Sequence, residues 1–250
     1  MRRPEVTQTA LVVGGSSAIG SEIVRTLVRD GFRVAATYYK GRKAAEGLLA
    51  SCGPDAVSIF PMDVANPESV DKTMRQVLAG FRVVDAVVYS VSAPIGYSPV
   101  FSLEWKSFED HFNLQVKGLF HVTKGLEAQI KSKHRTKILV LLTAACVTRP
   151  PSRMADYLAA KHALLGFCRS LAVELGRFNC SVNMVSPGLT PTPLVAKLPA
   201  KAVELAAQAN PLGRVTGPKD IAETVSFLAS DRADYVNGAN LLVNGGAETP

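Results

Sequence analysis

The sequence is poor in cysteine, long apolar runs, acidic charge and aromatic–basic tracts, and each scarcity excludes a class of protein. Its four cysteines, Cys52, Cys146, Cys168 and Cys180, form no CxxC pair and have no histidine at ligand spacing. Neither a disulfide framework nor a metal site is therefore expected. Cys168, set among Leu165, Phe167 and Leu171, reads as a small buried hydrophobe. The apolar runs are short, Ile138 to Leu142 being typical, whereas a membrane span needs roughly 20 residues. Met1-Arg2-Arg3 has the charge of a signal peptide's start, but only Ala10 to Val13 follows before glycines. No export signal is read, and a cytoplasmic protein is expected.

Acidic residues number 21 against 28 Lys and Arg, a formal charge of +7. The excess is spread, with its densest point at Lys131, Lys133, His134, Arg135 and Lys137. That cluster is either a solvated helix end or a guide for an anionic partner, such as a phosphorylated cofactor or an acidic carrier protein. A nucleic-acid ligand is not expected, because no reader motif accompanies the charge.

What is present is a regular alternation. Apolar strand candidates run over Thr9–Val13, Arg33–Thr37, Val57–Phe60, Val83–Tyr89, Lys137–Thr143, Ser181–Val185 and Asn240–Val243. Helical patterns lie between them, at Ser21–Asp30, Lys43–Ser51, Pro67–Leu78, Leu103–Ala128, Arg153–Phe178 and Pro218–Ser230. Nearly continuous apolar strands separated by helices predict an α/β fold with a doubly wound parallel sheet. With no repeat or linker, residues 1–250 are expected to form one Rossmann-type domain. The stretch Pro187–Pro211, rich in Pro and Ala, reads as a mobile excursion over one edge of the site.

Two motifs carry chemistry. Val13-Gly14-Gly15-Ser16-Ser17-Ala18-Ile19-Gly20 follows the first strand and opens the first helix. Backbone N–H groups at such a helix start can receive a pyrophosphate. Tyr157-Leu158-Ala159-Ala160-Lys161 puts a phenol and an ammonium on one helical face. A nearby cation favours phenolate, so the phenol's pKa is expected to fall from about 10 toward a range useful for moving a proton at a carbonyl oxygen.

With Val182-Asn183-Met184-Val185-Ser186-Pro187-Gly188, Pro211-Leu212-Gly213-Arg214, Asp220-Ile221-Ala222, Phe227-Leu228-Ala229-Ser230 and Gly245-Gly246, these motifs resemble the short-chain dehydrogenase/reductase family over nearly the whole chain. The 3-oxoacyl-carrier-protein reductase branch is the nearest likeness. The resemblance implies a seven-stranded sheet, a nicotinamide cofactor and a homotetramer built partly on two long central helices. It also implies catalytic roles for Tyr157, Lys161 and Gln115. By the same likeness the cofactor meets Gly14, Ser16, Ser17, Ile19, Ser90, Tyr157 and Lys161, with Asp63-Val64 at the adenine and Pro187, Gly188 and Thr190 at the nicotinamide. Where NAD-preferring relatives end the second strand on an acid, this chain has Tyr38, then Tyr39, Lys40, Arg42 and Lys43. Cations without a carboxylate suit a 2′-phosphate, so NADPH is the expected cofactor.

Four positions depart from the family pattern. Ala144 stands where the catalytic serine lies, thirteen residues before Tyr157. Gln115 stands at the supporting asparagine, three residues before Gly118, while Asn113 falls on another face. Tyr89-Ser90-Val91-Ser92 replaces an Asn-Asn-Ala-Gly stretch, and Ala18 replaces the middle glycine of the nucleotide turn. Thr143 can substitute for the serine only if the strand has ended and turned before it. Three readings stay open: a ketone reductase, plausibly of a carrier-bound 3-oxoacyl thioester; a divergent enoyl-thioester reductase, whose tyrosine-to-lysine spacing is usually longer; and a non-catalytic subunit.

Overall fold

The computed structural model describes residues 8–195 and 197–249; Met1-Arg2-Arg3 lies outside them. Seven strands form one sheet: β1 Thr9–Val13, β2 Arg33–Tyr38, β3 Val57–Pro61, β4 Ala86–Tyr89, β5 Thr136–Leu141, β6 Cys180–Pro187 and β7 Asn240–Val243. All pairings are parallel, in the order β3-β2-β1-β4-β5-β6-β7. The chain runs outward from β1 to β3, then returns to the other side of β1 at β4. That reversal opens a crevice at the carboxyl ends of β1 and β4.

Both faces of the sheet are covered, which is why β1, β4 and β5 are apolar at nearly every position. On one face pack α1 (Ala18–Arg29), α2 (Arg42–Cys52) and α9 (Pro218–Ala229), burying Ile23, Leu27, Leu48 and Ile221. On the other pack α3 (Pro67–Phe81), α5 (Gly118–Gly125) and α7 (Ala155–Leu175), burying Met74, Leu119, Val122 and Leu164. Local chemistry sets the helix starts. Ser17 Oγ accepts from Gly20 N at 3.0 Å, and Asn66 Oδ1 accepts from Glu68 N at 2.9 Å just before Pro67 at N1. Cys168 is fully buried in this second layer.

Four segments differ from the sequence expectation. The helix expected over 103–128 is α4 (Trp105–Phe112), a π turn (Asn113–Lys117), α5, and then α6 (Glu127–Lys131). β4 begins at Ala86 rather than Val83, because Gln129 takes both backbone groups of Val84 through Oε1 and Nε2 at 2.8 Å each. β5 ends at Leu141, two residues before Thr143. The stretch read as a mobile excursion carries a 3-10 turn (Pro193–Val195) and α8 (Ala200–Ala209). Among the described residues no helix is long and apolar enough to cross a membrane.

Candidate active site

The crevice is a cleft of about 540 Å³ along the carboxyl ends of the central strands. One end is made by the glycine turn. Gly14 has φ +83, and a Cβ there would sit 2.5 Å from the Ser90 carbonyl oxygen. A Cβ on Gly20 would sit 2.2 Å from Gly14 O. Neither position admits a side chain. Ala18 does, because it is exposed at the first residue of α1, so the family glycine's absence is sterically harmless to the fold. Gly14, Ser16, Ser17, Ile19, Tyr38, Tyr39, Lys40, Asp63, Val64 and Ser90 all line the cleft. Asp63 is fixed at the end of β3: its N–H donates to Ser69 Oγ at 2.9 Å, and Oδ1 accepts from Ala65 N at 3.0 Å. Of the cations counted after β2, only Lys40 lines the cleft; Arg42 pairs with Glu46 at 2.8 Å.

The other end is set by α7, which presents Tyr157 and Lys161 one turn apart. Both side chains are buried except toward the cleft. Lys161 Nζ donates to Leu141 O at 2.7 Å and lies 5.7 Å from the centre of the Tyr157 ring. The expected fall in the phenol's pKa does not occur. Burial pushes Tyr157 up, with hydrogen bonding to the Thr143 side chain pulling the other way. Burial also lowers Lys161, from 10.5 to about 8. Burial thus holds the phenol in its neutral form. Thr143 lies two residues beyond the end of β5, still extended at the start of the 3-10 turn Ala144–Cys146, and its side chain is turned to the Tyr157 phenol. Ala144 itself is buried.

Three expected residues do not reach the cleft. Gly188 and Thr190 stand behind its wall, Thr190 Oγ1 donating to Gly188 O at 3.0 Å, while Pro187, Thr192, Pro193 and Leu194 line it. Gln115 is wholly buried and touches the cleft only through Ser92, to whose Oγ its Nε2 donates at 3.4 Å. The Tyr89 hydroxyl donates to the Leu114 carbonyl in the π turn. Gly118 makes room for that hydroxyl, since a Cβ there would meet it at 2.1 Å. The sequence pattern does not single out His111 or Asp156, both buried beside Tyr157. The available signals are spacing: His111 stands one turn before Gln115, and Asp156 immediately precedes Tyr157. The substrate end of the wall is apolar, formed by Val91, Pro94, Leu114, Leu142 and Leu194.

Most of the basic cluster at 131–137 is paired with acids. Lys131 pairs with Glu127 at 2.6 Å, His134 with Asp85 at 2.9 Å, and Arg135 with Asp231 at 2.6 Å and Asp234 at 2.8 Å. Lys137 is buried against Asp234 at 2.7 Å. The cluster also sits at the start of β5, at the amino ends of the strands and so at the end of the sheet opposite the cleft.

Fold and cleft define a dinucleotide-binding oxidoreductase of the Rossmann type. A family profile described as enoyl-(acyl carrier protein) reductase matches residues 13–248, and the chain belongs to the short-chain dehydrogenase/reductase family. It is 32% identical to a versicolorin reductase of Emericella nidulans, over 96% of this chain and 95% of that one. It is 28% identical to a 3-oxoacyl-[acyl-carrier-protein] reductase of Staphylococcus aureus, over 97% and 98%. A short-chain dehydrogenase/reductase from Brucella melitensis superposes with a TM-score of 0.90 at 25% identity, covering 98% of each chain. A 3-ketoacyl-(acyl-carrier-protein) reductase from the same organism, complexed with NADH, superposes with 0.87 at 26% identity, covering 96% of this chain and 98% of that one.

Proposed function

We propose that this protein is an NADPH-dependent reductase of a ketone, with a 3-oxoacyl thioester as the substrate class. The observation carrying this reading is a neutral, buried phenol, with Lys161 one turn on and Thr143 beside it, at the apolar end of a cleft whose far end is a nucleotide cradle. The cradle fits a dinucleotide: Gly14 and Gly20 leave only backbone at the turn, and the start of α1 faces the cleft. Gly14, Ser16, Ser17 and Ile19 would hold the pyrophosphate, Asp63 and Val64 the adenine, and Ser90, Tyr157, Lys161 and Pro187 the nicotinamide side, with Gly188 and Thr190 as backing. When bound, the cofactor supplies hydride to the carbonyl carbon. Tyr157 holds a proton on Oη at neutral pH and gives it to the carbonyl oxygen. Thr143 donates a second hydrogen bond to that oxygen, in place of the family serine. Lys161 stabilises the phenolate left behind.

NADPH is favoured because Lys40 lines the cleft and β2 ends on Tyr38 rather than on a carboxylate. Trp105 and Phe112 on α4, Phe120 on α5 and Val173 on α7 are exposed apolar side chains. They support a homotetramer that covers these helices. A second reading, enoyl-thioester reduction, is favoured by the description of the matching profile, and the one-turn spacing of Tyr157 and Lys161 counts against it.

Calorimetric titration should give NADPH at least about tenfold tighter binding than NADH, a difference of about 1.4 kcal/mol. Turnover should appear with acetoacetyl thioester, stay absent with crotonyl thioester, and fall by about 10²–10⁴ in Tyr157→Phe. Turnover of the crotonyl substrate alone would establish the second reading. Silence with both, together with no cofactor binding, would leave a non-catalytic subunit.

A further inference from the structure

Behind Tyr157 lies a chain of buried polar groups that the reaction above does not use. His111, on α4, and Asp156, the residue before Tyr157, are 2% and 3% exposed. The His111 ring meets the Tyr157 ring edge to face, with centres 5.6 Å apart and planes at 73°. His111 Nε2 lies 3.7 Å from Asp156 Oδ2, while Asp156 Oδ1 accepts from Tyr157 N at 2.8 Å. Across the π turn, Gln115 Nε2 lies 3.1 Å from His111 Nδ1, and the same amide donates to Ser92 Oγ on the cleft wall. Gln115 Oε1 is left buried without a partner.

With the Gln115 amide placed as it is, these contacts favour one state of the imidazole. An amide N–H donated to Nδ1 requires that nitrogen to be bare, so the single ring proton sits on Nε2 and faces the Asp156 carboxylate. The charged groups around the ring are Asp156 and Lys161 from α7 and Asp110 on its own helix. Burial and Lys161 disfavour a second proton, against the two carboxylates, and the balance lies below the ordinary histidine value. A proton added to Nδ1 would put two donors face to face. The Gln115 amide would then have to turn, offering Oε1 to Nδ1–H and withdrawing Nε2–H from Ser92. The unpartnered Oε1 is the acceptor such a second state requires.

We propose that His111 and Asp156 are positioning residues for Tyr157, with the neutral Nε2–H imidazole as the holding form and Gln115 carrying its charge state to Ser92 at the cleft. One pair thereby fixes the phenol twice, at the ring edge through His111 and at the backbone amide through Asp156. The proposal rests on the reductase reading only for its turnover arm.

The test combines resonance and rate. In ¹⁵N-histidine protein, long-range ¹H–¹⁵N spectra should show His111 protonated at Nε2 and bare at Nδ1 at pH 7. Its titration midpoint should lie below about 6.5. In ¹³Cζ-tyrosine protein, the Tyr157 resonance, assigned with Tyr157→Phe, should move with the same midpoint, and that movement should vanish in His111→Leu. Asp156→Asn keeps an oxygen for the Tyr157 amide but removes the charge, and should lower the midpoint further. With acetoacetyl thioester, His111→Leu should lower kcat by up to about tenfold and leave KM and NADPH affinity unchanged. An Nδ1–H tautomer at neutral pH, or a Tyr157 resonance blind to the His111 titration, would overturn the proposal. A loss expressed in KM or cofactor affinity rather than kcat would do the same. If no thioester is turned over, the reductase reading falls, and the wild-type and Asp156→Asn spectra still decide this one.

Discussion

The nucleotide end and the substrate end of the cleft are built by different means. At the nucleotide end the determinants are backbone: a positive φ at Gly14, a carbonyl where any Cβ on Gly14 or Gly20 would go, and a capped helix start. Here the chain follows its family closely, and its single departure, Ala18, is exposed. At the substrate end the determinants are side chains, and they include the three places where the sequence reading expects a departure from the family pattern. Each departure is met by a neighbour. Tyr89 takes the Leu114 carbonyl, with Gly118 opening the space. Gln115 joins His111 and Ser92. Thr143, the residue before Ala144, turns its side chain to the phenol. A backbone cradle tolerates little substitution, because nothing adjacent can substitute for a missing φ or a missing void. A hydrogen bond to a substrate oxygen can be donated from any position that reaches it.

The largest expected effect breaks this comparison if it fails. Thr143→Val, which keeps the shape and removes the hydroxyl, should lower ketone reduction by about a hundredfold, the usual cost of about 3 kcal/mol for one transition-state donor. Ala144→Ser in the native background should change the rate by less than about threefold, since the donor is already present. In the Thr143→Val background the same serine should recover most of the loss. Steady-state rates of the four proteins settle it. A large gain from Ala144→Ser alone would mean that Thr143 does not donate.

A smaller effect is expected within the glycine turn and sharpens the contrast. Gly14→Ala must hold a side chain at φ +83 with its Cβ 2.5 Å from Ser90 O. Left-handed backbone alone costs about 1–2 kcal/mol in an L residue, and the overlap adds to it. Cofactor affinity should fall by at least about tenfold and the melting temperature should drop. Ala18→Gly, further along the same turn, should leave affinity within about threefold. Equal losses from both would show that the turn is not limited by its backbone.

The same division explains what could be read from residues alone. The alternation of strands and helices, the glycine turn and the Tyr157–Lys161 pair follow from periodicity and spacing, because each is a local pattern that the fold keeps. The π turn does not, since its cause lies in Tyr89, some 25 residues earlier, reaching the Leu114 carbonyl. The phenol's pKa was beyond sequence for another reason. The i, i+4 spacing of Lys161 suggests attraction, but the ammonium is turned to Leu141 O and burial outweighs it. The cations His134, Arg135 and Lys137 look free in sequence because their acids, Asp85, Asp231 and Asp234, are remote along the chain.

Lys161 yields the smallest prediction, and it concerns stability. Its ammonium is buried with one carbonyl partner, Leu141 O at 2.7 Å. The fall from 10.5 to about 8 marks the charged form as disfavoured in the folded protein, by about 3 kcal/mol. Between pH 8 and 10.5 the unfolded chain binds this proton more tightly than the folded one, so stability rises with pH across that window. Below pH 8 both states carry the proton and the full penalty remains. Lys161→Met removes the penalty and the activity together, while leaving the Leu141 carbonyl without its donor, a loss of about 1–2 kcal/mol. The variant should therefore be more stable than the native protein by about 1–2 kcal/mol at pH 7, or a few degrees in Tm for a chain of this size. Denaturant titrations across pH 7 to 10.5 should show that advantage shrinking as the native lysine loses its proton. A Met variant less stable at pH 7, or an advantage independent of pH, would mean that the ammonium is better solvated than its burial implies.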